Sequence, residues 1–108
     1  MIILSANTNP KLLEERKAAE NAKAILGSLT PSTAGTDRTI FVLRYAANLA
    51  KKGTLARLKS RYALDVVRME AANALNAVCG LLDRRHVHQD AIDQATNAVV
   101  AWLEALPS

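Results

Sequence analysis

The chain has 108 residues, half of them apolar, 22% charged and four aromatic, with a net charge of +4. Alanine (20) and leucine (15) dominate, against four glycines and three prolines. That helix-forming balance excludes collagen-like, disordered and disulfide-rich classes, and the length fits a single domain.

Residues 1–8 run from apolar to polar without helical periodicity and read as an N-terminal arm, tucked into the core or reaching a neighbouring subunit. Met1-Ile2-Ile3-Leu4 has no basic n-region, so no secretory leader is expected. Asn9-Pro10 marks a helix start, with Asn as N-cap and Pro at N1. The first helix is predicted over about 10–26, with Leu12, Ala19, Ala22, Leu26 and Leu29 near one face and Gly27 as its stop. Glu14, Glu15, Arg16, Lys17, Glu20 and Lys23 read as its solvated face.

Residues 30–36 are turn-rich and form a loop. Thr36 or Asp37 is expected to cap a second helix, about 38–52, with Ile40, Leu43, Ala47 and Ala50 at helical spacing. Gly53 is its expected stop and Thr54 the cap of a third helix over about 55–84. That helix carries one stripe of Leu64, Val67, Ala71, Ala74, Val78 and Leu81, and another of Leu58, Tyr62, Val66 and Met69. Two stripes predict a long, central helix contacted on two sides. At about 45 Å it would project beyond a compact core and need a partner to cover it.

The fourth helix, about 89–106, places Ile92, Ala95, Val99, Trp102 and Leu106 at alternating steps of three and four. Pro107 ends it. The predicted fold is therefore all-α: a four-helix, mostly antiparallel bundle with tight packing between alanine-rich helices 3 and 4.

Charge is unevenly spread. Residues 1–37 carry four bases and four acids, 38–64 seven bases and no acid, and 65–108 three bases and six acids. The basic third concentrates at the corner between helices 2 and 3, so Arg44, Lys51, Lys52, Arg57, Lys59 and Arg61 are the candidate binding residues. Phe41 and Tyr45, four apart, read first as core, with a base-stacking platform as the functional alternative. Off the seam of helix 4, Val100 and Leu103 are surplus apolar residues and candidate self-association contacts.

Catalytic and metal signatures are not apparent. His86 and His88 lie two apart but lack zinc-site spacing, the carboxylate pairs are unenclosed, and no nucleotide loop or nucleophile elbow occurs. Cys79, the sole cysteine, sits in an apolar run and reads as a buried thiol. The longest uncharged run, Ala71–Leu82, is well short of the ~20 residues that span a bilayer. The expectation is a non-enzymatic, cytoplasmic binding protein without metal or cofactor and without membrane contact. It would act as adaptor, inhibitor or regulator on an acidic protein partner and self-associate. Nucleic-acid binding through phosphates along 38–61 is the alternative.

Overall fold

A computed structural model describes residues 10–31, 36–55, 62–84 and 86–106. Of these, 89% are helical and none is in a strand. The elements are α1 (Pro10–Ser28), α2 (Asp37–Leu55), α3 (Tyr62–Asp83) and α4 (Gln89–Ala105). The chain is an all-helical bundle.

Each helix packs on two neighbours, giving a ring in the order α1, α2, α3, α4 and back to α1. Consecutive helices run in opposite directions. The Cys79 Sγ near the end of α3 approaches the Ile40 carbonyl at the start of α2. Arg16, early in α1, donates to the carbonyl of Leu106 just beyond α4 at 3.2 Å, and a cation suits that helix end.

The core is built from one face of every helix. Ala19, Ala22 and Leu26 meet Leu43, Ala46, Ala47 and Ala50, then Ala71, Leu75 and Val78, then Ile92, Ala95, Val99 and Trp102, all buried. Nine of the twenty-two buried apolar residues are alanine, so the helices approach closely and each residue buries little area. The spacing read in α4 holds throughout, since Ile92, Ala95, Val99, Trp102 and Leu106 are all buried.

The capping of α2 falls to Thr36, whose Oγ1 accepts from the Thr39 N–H at 3.1 Å, while Asp37 opens the first turn. At the same end of the bundle the His86 N–H reaches back to the Leu81 carbonyl, 2.9 Å away. The adjoining Val87 is buried, which fixes the turn into α4.

Several expected boundaries and faces are corrected. Gly27 and Gly53 lie inside helices; glycine weakens a helix interior by about 1 kcal/mol relative to alanine, less than continuing the flanking turns gains. Thr54 and Leu55 therefore belong to α2. Helix 3 spans 22 residues, or about 33 Å, the longest of the four among the described residues, and is contacted on two sides, by α2 and α4. Its second stripe is not a contact face, since Val66 and Met69 are exposed; Leu58 lies outside the described residues. The buried face instead passes through Ala72, Cys79 and Leu82.

Candidate functional site

The outer face of α2 carries the features a contact surface needs. Phe41 and Tyr45 were expected in the core, but Phe41 is 68% and Tyr45 41% exposed. The core stripe of α2 runs through Leu43, Ala46, Ala47 and Ala50, so positions 41 and 45 fall on the opposite side of the helix. Their rings stack with centroids 6.2 Å apart and planes 12° from parallel. The Tyr45 hydroxyl donates to the Glu14 carboxylate of α1. That hydrogen bond, then partial desolvation and the Glu14 charge, raises the phenol's pKa.

Around the rings lie cations. Arg38, Arg44, Lys51 and Lys52 are exposed. Arg44 pairs with Asp83 across the α2–α3 seam at 3.4 Å, both half-exposed; such a pair contributes at most about 1 kcal/mol. Among the described residues Lys51 and Lys52 have no carboxylate partner. Arg57, Lys59 and Arg61 lie outside the described residues, so the structure brings together Arg44, Lys51 and Lys52 only.

Shallow grooves flank Tyr45 on both sides. One of about 530 Å³ is lined by Leu13, Lys17 and Asn21 of α1 together with Tyr45. Another, about 410 Å³, is lined by Phe41, Arg44, Asn48 and Asp83. Leu13, 45% exposed, extends the apolar strip from α2 onto α1. Acids (Glu14, Asp37, Asp83) lie at the margins of this strip.

A second constellation is one that pattern reading placed in solvent. Glu15 is buried, and both its oxygens bind Arg68: Nε donates at 2.8 Å and Nη2 at 2.9 Å. The Trp102 Nε1–H donates to the same carboxylate at 2.7 Å. Asp65 accepts from Arg68 Nη1 at 3.4 Å. Burial pulls the Arg68 pKa down, but the hydrogen bond and charge of Glu15, with Asp65, outweigh it and leave the guanidinium above its ordinary value. The arrangement ties diagonal helices α1 and α3 to α4 through the core. Every oxygen of Glu15 is engaged, so its chemistry is structural. A readable signal existed: Glu15 continues the step of Leu12, Ala19, Ala22 and Leu26, and Arg68 lies between Leu64 and Ala71 on the buried stripe.

No protein-family model, curated protein or solved structure matches this chain.

His86 and His88 are exposed, and among the described residues no three His, Cys, Asp or Glu side chains cluster as a metal site would require. Cys79 is buried. Val100 and Leu103 are half-buried, Leu103 packing against the core. No helix among the described residues is long and apolar enough to cross a membrane.

Proposed function

We propose that the chain is a non-enzymatic binding protein of the cytoplasm, an adaptor, inhibitor or regulator, that meets an acidic protein surface through the outer face of α2 and also self-associates. The observation that carries this reading is Phe41, a large ring left 68% exposed on a helix with an adequate core stripe of its own. Exposed aromatics beside an arginine are the composition of protein-contact centres. The buried carboxylate, Glu15, is consumed by Arg68 and Trp102, which supports a non-catalytic role.

Nucleic-acid binding is the second reading, and the stacked, exposed ring pair favours it, since bases stack on such platforms. Against it stand Glu14, Asp37 and Asp83 around the rings, which repel phosphates, and Leu13, which offers a base no stacking face. Parallel capture from native extract with the wild-type chain and Phe41→Ala separates the readings. A protein retained after nuclease treatment and lost with Phe41→Ala supports the α2 contact. Loss on nuclease treatment favours nucleic acid, and equal retention by both chains overturns the assignment of the face.

A further inference from the structure

We infer that the α2 face of one copy seats in the α3–α4 groove of a second copy, a head-to-tail contact that propagates rather than closing as a dimer. The inference rests on the reading of α2's outer face as a contact surface and names one occupant for it.

Charge is the first support. Helix α2 holds Arg38, Arg44, Lys51 and Lys52 against Asp37 alone. Helix α4 holds Asp90, Asp93 and Glu104 and no Lys or Arg. The single base of α3, Arg68, is buried and paired. Of the charges on these two helices only Glu70 of α3 lines the groove itself; the α4 acids lie elsewhere on their helix, and Arg84 follows α3 at the turn.

Placement is the second. In the ring of helices α2 and α4 are diagonal and do not touch, so their opposite charges cannot neutralise each other within one molecule. A two-fold contact pairing α2 with α2, or α4 with α4, sets like charges against each other. A two-fold contact pairing α2 with α4 twice needs both faces on one side of the bundle, and the α3–α4 face lies opposite the α1–α2 face. Only a heterologous contact brings unlike faces together, and such contacts form open series or rings.

Shape is the third. The α3–α4 groove is about 530 Å³, its walls including Ala74, Ala77, Ala98 and Ala101, with the Glu70 carboxylate at its edge. Four methyl groups leave room for a ring, and Phe41 is the most exposed large apolar side chain among the described residues. Glu70 is there to meet Lys51 or Lys52.

Two variants of the full chain test this by sedimentation velocity. Phe41→Ala/Lys51→Glu/Lys52→Glu blocks the donor face, and Glu70→Lys/Gln94→Lys blocks the groove; all five positions are exposed, and circular dichroism checks that helix content is retained. The wild-type mass should grow with concentration without stopping at two and fall to monomer at high salt. Each variant alone should be monomeric, and an equimolar mixture should form one-to-one dimers and nothing larger, because one productive pairing remains. If either multiple variant loses helix content, Phe41→Ala alone should still weaken wild-type assembly at least tenfold, and unchanged assembly overturns the inference. A wild-type monomer up to near-millimolar concentration, a dimer that survives both variants, a mixture that fails to pair, or assembly dissolved by nuclease also overturns it. A monomer leaves the capture experiment to decide the α2 reading separately.

Discussion

Glu15 and Arg68 are 7% and 3% exposed at the side chain, deep enough for their pairing to dominate the response to substitution. Removing one partner strands a buried charge, so Glu15→Ala should destabilise the fold by about 3–5 kcal/mol in urea titration. It also strips Trp102 of its acceptor. Replacing both partners by apolar residues, Glu15→Leu with Arg68→Met, should cost much less than the sum of the singles. Additive losses would show that the two groups do not act as a pair. Cys79 gives a test against pH. Burial pushes its thiol up, Arg44 opposes with a smaller downward pull, and Asp83 adds to the rise. A thiol whose folded pKa is raised holds its proton more tightly in the folded state. Its contribution is therefore complete below the unfolded thiol's pKa, about 8.5, and is lost as pH rises through the folded value. Wild type should lose stability between pH 8 and 10 more steeply than Cys79→Ala, measured by urea midpoints. Parallel slopes would place the thiol in contact with solvent.

Helix existence and buried stripes were legible in periodicity, because every helix has one apolar face and the core is assembled from those faces. The ends were less so. Glycine stops a helix only where the chain turns left-handed after it, and nothing in the sequence tells that glycine from one carried through, as Gly27 and Gly53 are. A Cβ at Gly27 or Gly80 would meet nothing within 4 Å, and both residues are helical. Gly27→Ala and Gly80→Ala should therefore each stabilise the protein by about 0.5–1 kcal/mol, through a stiffer unfolded chain and better helix propensity. A fall in thermal midpoint for either would mean its helix is not continuous there. The reading of Glu15 as solvated failed for a related reason: a charged residue on an apolar stripe is discounted by composition, although its spacing placed it inside.

At the scale of the molecule, the acid-free stretch marked α2 as a candidate for contact but gave no sign of its exposed aromatic residues. Phe41 and Tyr45 are apolar enough to be assigned to any core, but their places lie opposite the core stripe of α2. Charge polarity was legible as a sum over segments, but its geometry was not. Only the ring order of helices shows that the basic and acidic helices are diagonal and face away from each other. The outer face of α2 is proposed as a contact surface and not as a misplaced piece of core. Phe41→Ala tests this most directly, with its affinity for the captured partner measured beside the unfolding free energy of the free chain. The expected result is an unfolding free energy within about 0.5 kcal/mol of wild type, as for a surface substitution, and an affinity loss of about 2 kcal/mol or more, near thirtyfold. A loss of about 3–5 kcal/mol in stability, as for a buried phenylalanine, or an unchanged affinity, would contradict it.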